Sequence, residues 1–167
     1  MKRALIRAAV AAVAMAAAFI TGWVLWPRPA IVAVPRARQY LNVSACLLTG
    51  SNGVAAGTLG GQAWHAMESA SLASHVMVSY LPVAGPAGVP AMLNTLVERQ
   101  CGVIVVTGAS PIQVTRAAKA NPGRRFILVT SSIAAGPAAV PPNAVVVPAA
   151  EASGPIATEV TALAATT

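Results

Sequence analysis

Leu93-Asn-Thr-Leu-Val-Glu-Arg-Gln-Cys-Gly-Val-Ile-Val-Val-Thr-Gly108 holds the pattern that decides the fold. Met92, Leu93, Leu96 and Val97 recur at i, i+1, i+4 and i+5, the apolar stripe of an amphipathic helix. Val103-Ile-Val-Val-Thr107 then runs apolar without alternation, so it reads as a strand buried on both faces. Working outward, residues 112–120 form a further helix and Phe126-Ile-Leu-Val-Thr130 a further strand. Asn143-Ala-Val-Val-Val-Pro148 is another strand, and residues 151–165 are a last, partly helical stretch. Upstream, Val43-Ser-Ala-Cys-Leu-Leu-Thr49 is a short buried strand closed by Gly50-Ser-Asn-Gly53. Residues 60–73 form a helix with Trp64, Met67, Ala70 and Ser71 on one face. Val76-Met-Val-Ser-Tyr-Leu81 is a strand closed by Pro82, and Ala84-Gly-Pro-Ala-Gly-Val-Pro90 is a loop. Strands alternating with helices predict one α/β domain over residues 40–165, a three-layer α/β/α sandwich around a parallel sheet of about five strands. The expected strand order is 2-1-3-4-5, a common doubly wound arrangement.

The chain of 167 residues has room for that domain and a short appendage. At 56% hydrophobic and 9% charged residues, it is not a disordered solvating chain. Its net charge of +7 is concentrated at the start: Lys2, Arg3, Arg7, Arg28, Arg36 and Arg38 precede the domain. The remainder sets Arg99, Arg116, Lys119, Arg124 and Arg125 against Glu68, Glu98, Glu151 and Glu159, leaving it near neutral. Nucleic acid is therefore not an expected partner.

Behind Lys2, Arg3 and Arg7, residues 8–26 contain no charge. Nineteen helical residues reach about 28 Å, close to the roughly 30 Å hydrocarbon core of a bilayer. Trp23 and Trp26 stand at the far end, where amphipathic rings favour the interface, and Pro27 stops the helix. Residues 1–26 are thus expected to be an N-terminal membrane anchor, with the preceding positive charges keeping the N-terminus cytoplasmic. A cleaved signal peptide is the competing reading, with a shorter apolar region and a small-x-small site. Both readings export the rest. No Cys near residue 26 offers a lipid attachment point. Residues 27–39, rich in Pro and Arg, read as a stiff extended linker to a domain over residues 40–167. Arg36 and Arg38 are either solvated there or against anionic headgroups.

Ligands of such sheets sit beyond the carboxyl ends of the strands, at the switch point in strand order. That directs attention to residues 50–60, 107–111 and 130–136. Gly50, Gly53, Gly57, Gly60 and Gly61 lack dinucleotide-fingerprint spacing, and no Lys completes a phosphate loop, so no cofactor is expected. The plain reading is a mobile loop needing positive φ. Candidate ligand contacts are Asn52, Thr58, Gly108, Ser110 and Ser131, helped by backbone amides near Gly57 and Gly108. Catalytic constellations are weak. His65 and His75 flank one helix, no Asp exists for a triad, and Glu68 at i+3 from His65 reads as a surface pair. With two Cys and two His, no metal site is expected. Arg116, Lys119, Arg124 and Arg125 cluster at the end of the third helix, where cations complement the helix dipole. An acidic partner is the alternative for that cluster.

Three stretches resemble the basic membrane protein (BMP) family of solute-binding proteins of ABC transporters. The first is Cys46-Leu-Leu-Thr-Gly50 followed by Gln62-Ala-Trp64. The second is Leu93-Asn-Thr-Leu-Val97 through Val103-Ile-Val-Val-Thr-Gly108, then Ala117-Ala-Lys-Ala-Asn-Pro-Gly-Arg-Arg-Phe126. The third is Pro142-Asn-Ala-Val-Val-Val147 with Glu151 beyond it. The resemblance covers residues 43–160 and implies the fold of type I periplasmic binding proteins, an extracytoplasmic location and a nucleoside ligand class. It corresponds to the first of the family's two lobes. Aligned on Trp64, this chain has Ala56, Thr58, Leu59 and Gly60 where the family has Asp, Ser, Phe and Asn, and Thr130 where it has Asp. The carboxylate for ribose hydroxyls and the aromatic for a base are both missing, so only weak nucleoside binding is expected.

Cys46 opens the first strand and Cys101 precedes the third. In the 2-1-3-4-5 order those strands are neighbours about 4.8 Å apart, within reach of a disulfide. Outside the cell a bond is expected in preference to two free buried thiols, and closing its loop stabilises by on the order of 4 kcal/mol. Three functional classes stay open. One is a non-enzymatic, membrane-tethered, one-lobe binding domain with a sensing or accessory role. Another is a solute receptor whose second lobe comes from another chain or from self-association. The third is an enzyme or regulator unrelated to transport.

Overall fold

The computed structural model describes residues 39–131 and 140–166. The anchor over residues 8–26 and nearly all of the linker lie outside them. Among the described residues no helix is long and apolar enough to cross a membrane.

Among the described residues five strands and four α-helices follow one another: β1 Ser44–Thr49, α1 Leu59–Ser74, β2 Met77–Pro82, α2 Val89–Glu98, β3 Val103–Thr107, α3 Pro111–Ala120, β4 Arg125–Thr130, β5 Ala144–Pro148 and α4 Ser153–Ala164. All four strand pairings are parallel, in the order β2-β1-β3-β4-β5. The β1–β3 register sets Ala45 beside Val103 and Leu48 beside Val106. β3 is buried along its whole length, as its unbroken apolar run requires.

Successive strand residues point to opposite faces, so each central strand feeds two cores. Ala45, Leu47, Val103, Val105, Ile127 and Val129 meet Ala63, Met67 and Ala70 of α1 and Ile156 and Val160 of α4. Cys46, Leu48, Ile104, Val106, Phe126 and Leu128 meet Leu93 and Leu96 of α2 and Val114 and Ala118 of α3. Helices therefore cover both faces of the sheet.

The elements differ in detail from the sequence expectation. α2 begins at Val89, inside the expected loop, because Pro90 tolerates the first turn; a 3₁₀ turn over Pro86–Gly88 precedes it. The last stretch divides into a 3₁₀ turn at Ala149–Glu151 and the regular helix α4. β2 is a half-exposed edge strand, with Tyr80 45% exposed and set edge-on against Trp64 of α1, ring centroids 5.3 Å apart.

Three polar devices fix the frame. Cys46 and Cys101 form a disulfide across the β1–β3 entry, with Cα atoms 5.8 Å apart. Asn143, buried ahead of β5, donates its amide N–H groups to the carbonyls of Ala118, Asn121 and Arg124 at 2.9, 3.0 and 2.9 Å. Arg125 forms a two-pronged ion pair with Glu159 of α4, at 2.7 and 3.1 Å, which raises the guanidinium pKa through the hydrogen bonds and the neighbouring charge. It is the one ion pair among the described residues; the expected His65–Glu68 pair is not formed.

Candidate functional site

The carboxyl ends of β1 and β3 are where the order of strands reverses direction, and a cleft of about 360 Å³ opens there. Gly50, Ser51, Asn52, Gly53, Thr58, Leu59, Gly60, Thr107 and Gly108 line it. The β1–α1 loop supplies one wall and the β3–α3 turn the other. Small residues let these segments approach closely. A Cβ at Gly60 would run into the Gly53 carbonyl oxygen and stand 3.0 Å from Thr49 Cγ2. Gly108 turns the chain out of β3 at φ +74°, a conformation glycine adopts without strain.

The expected ligand residues are only partly brought together. Asn52, Thr58 and Gly108 share the cleft. Asn52 is exposed, and its side chain is left over for a ligand after its carbonyl accepts from Ala55. The Thr58 hydroxyl is already committed: it donates to the Ala55 carbonyl at 2.7 Å and accepts from the Gly61 amide at 3.0 Å, capping α1. Ser110 lies outside the lining. Its hydroxyl caps α3 in a reciprocal box with Gln113, which is what a Ser three residues before a Gln at a helix start does. Ser131 is exposed after β4 and also outside the lining, and residues 132–136 of that expected loop lie outside the described residues.

Two polar lining residues, Ser51 and Thr107, fall within the loops that the switch point singles out but not among the named candidate contacts. Thr107 stands where β3 ends, and its hydroxyl donates to the Leu48 carbonyl at 3.3 Å, tying the two strand ends together. Beneath the cleft, Thr49 Oγ1 is buried without a partner, and so is Thr130 Oγ1 at the end of β4. Of the positions aligned with the ligand motif of the basic membrane proteins, Leu59 and Gly60 face the cleft and Ala56 is an exposed residue outside it.

No lining side chain titrates. Among the described residues the cleft's polarity comes from hydroxyls, one amide and backbone. The amides of Leu59 and Gly60, in the first turn of α1, have no helical acceptor and add a partial positive charge. Such a lining offers hydrogen bonds to a polar ligand's oxygens. Among the described residues no three of His, Cys, Asp or Glu converge.

No family model matches the chain, and no curated protein does. Solved structures do. A fragment of a candidate lipoprotein from Peptoclostridium difficile 630 superposes with a TM-score of 0.56 at 13% identity, over 70% of this chain and 98% of that one. A 3-dehydroquinate dehydratase-like protein from Bifidobacterium longum superposes with a TM-score of 0.48 at 10% identity, over 74% and 97%. The first likeness is one of fold alone.

Proposed function

We propose that the chain is a membrane-tethered, extracytoplasmic binding domain of the one-lobe solute-binding type, resembling the basic membrane proteins, with a sensing or accessory role and no catalysis. The observation that carries this reading is the cleft at the strand switch point, lined by hydrogen-bonding groups and free of titratable side chains. Two further features support it. A disulfide between neighbouring strands persists in oxidising compartments, in keeping with export. The uncharged run over residues 8–26, behind three cations, suits a single-pass anchor with the domain outside. The fold is shared with a candidate lipoprotein, yet both cysteines of this chain are bonded to each other, so a helix rather than a lipid would hold it.

Affinity should be low. A single open lobe leaves much of a ligand wet, and neither a carboxylate nor an aromatic ring faces the cleft. Calorimetric titration of the full chain in detergent with adenosine, guanosine, inosine and uridine tests this. Dissociation constants no tighter than about 100 μM, or about −5.5 kcal/mol, are expected. A micromolar constant would favour the second reading, a nucleoside receptor of an ABC transporter completed by another chain or a second copy. That reading draws on the exposed Tyr80 and Met77 of edge strand β2, which leave a surface open to a partner.

A further inference from the structure

The helices run antiparallel to the strands they cover, so their C-terminal ends gather at the amino edge of the sheet, opposite the ligand cleft. There a second recess, of about 390 Å³, is lined by Asn42, Ser44, Arg99, Gln100 and Arg124 among others. Arg99 follows the end of α2, Lys119 lies in the last turn of α3, and Arg124 stands in the turn into β4. Arg116 is in the half of α3 that leads to this edge. None of these four cations has a carboxylate partner among the described residues. Arg124 only reaches the Gln100 carbonyl, at 3.4 Å. Arg125 is neutralised by Glu159, and Glu98 and, in the corresponding half of α1, Glu68 are the other acids at this end, so the edge keeps two net positive charges. At the carboxyl edge stands Glu151, with no cation beside it in sequence.

The chain also enters the domain at this edge. Leu41 donates its amide to the His75 carbonyl at 2.8 Å, immediately ahead of β1, so whatever precedes Gln39 attaches beside Arg99 and Arg124. The 13 residues 27–39 span at most about 45 Å when fully extended.

We infer that the amino edge is a docking face for an anionic lipid surface: Arg99, Arg124, Lys119 and Arg116 meet phosphodiester headgroups, and the ligand cleft is turned away from the membrane. The inference rests on the anchor reading. Charge complementarity selects lipid over an uncharged partner: the recess carries the guanidinium groups of Arg99 and Arg124 beside the amides of Asn42 and Gln100, with Val43, Met77 and Leu163 as its apolar part. Tethering makes the contact intramolecular, so a modest attraction suffices to orient the domain. Only charges within a Debye length of the headgroups act, about 8 Å at physiological salt, which is why the polarised placement matters more than the small net charge.

The test uses the full chain with vesicles of phosphatidylcholine alone and of phosphatidylcholine with about 30% phosphatidylglycerol, read by flotation and amide hydrogen exchange. Flotation with both lipids is expected, with exchange over residues 99–102 and 119–125 slowed about fivefold by phosphatidylglycerol. That slowing should vanish in about 1 M salt, where the Debye length is about 3 Å. It should also vanish in R99Q/R124Q, and weaken in R116Q/K119Q, while exchange in β3 stays unchanged as a control of folding. Residues 50–60 should exchange alike in both lipids. Flotation with both lipids but no lipid-dependent exchange at the amino edge keeps the anchor and overturns the docking face, as does protection of residues 50–60. Flotation with neither overturns both. Flotation only with phosphatidylglycerol, lost in R99Q/R124Q, supports the docking face and overturns the anchor.

Discussion

Asn143 gives three carbonyl oxygens a donor with one buried amide, so the turn between α3 and β4 and the entry to β5 are held by one side chain. Asn143→Ala removes the side-chain donor from all three; the Ala118 and Asn121 carbonyls keep backbone amides at 3.2 and 3.1 Å, so the Arg124 carbonyl is left short, and a buried unpaired polar group costs about 1–3 kcal/mol. A loss of about 2 kcal/mol, or roughly 6–10 °C in melting temperature, is expected by calorimetry or circular dichroism. Asn143→Asp should cost more, since a carboxylate oxygen has no proton to donate to a carbonyl. A change under about 2 °C for both variants would show that the clamp contributes little. The same residue explains part of what was legible in the sequence. Asn121-Pro-Gly123 and Pro142-Asn143 stood out as fragments of a family pattern. In the fold these residues form a turn and its clamp. Serine positions were harder to read, because a hydroxyl that caps a helix and one that binds a ligand occupy the same loop. Ser110 is the first kind, and its partner Gln113 three residues on was the available signal. Gly60 makes a second residue-scale prediction. A Cβ there has the Gly53 carbonyl in its way, so Gly60→Ala should destabilise by about 1–3 kcal/mol and distort the cleft. Wild-type stability in that variant would mean the loop yields freely.

The elements were legible wherever burial alone decides them. β3 and β4 are apolar along their cores because both faces are covered, and no other element type fits so short a run. Their boundaries followed within a residue or two. Edge strand β2 was less legible: Met77 and Tyr80 look like core residues in sequence but are 41% and 45% exposed. Nothing local distinguishes an edge from a centre, since strand order is a property of the whole sheet. The start of α2 was hidden by Pro90, which ends helices from inside yet begins them readily. The disulfide was reachable only through the strand order, because Cys46 and Cys101 are 55 residues apart and meet only if β1 and β3 are neighbours. Closing that loop stabilises by about 4 kcal/mol in the chain-entropy description. Reduction should therefore lower the melting temperature by more than about 10 °C, and peptide mapping without reductant should recover the two cysteine peptides joined. Recovery of both thiols free in protein purified without reductant would contradict the bond.

At the scale of the whole molecule the sheet separates two chemistries. Its amino edge collects cations that have no carboxylate partner among the described residues, while its carboxyl edge holds a cleft of glycines, hydroxyls and one amide. The site was partly legible because the switch point follows from strand order, which placed Asn52, Thr58 and Gly108 together. Ser51 and Thr107 lay in the right loops but could not be picked out individually, since their place in the wall depends on how the β1–α1 loop folds back over β3. The claim that function resides in this cleft is tested most directly by amide chemical-shift mapping of the full chain during titration with adenosine and uridine. Saturable shifts confined to residues 50–60 and 107–108, with a dissociation constant of about 100 μM or weaker, are the expected result. Shifts centred elsewhere on the domain, or none that saturate at residues 50–60, would contradict it.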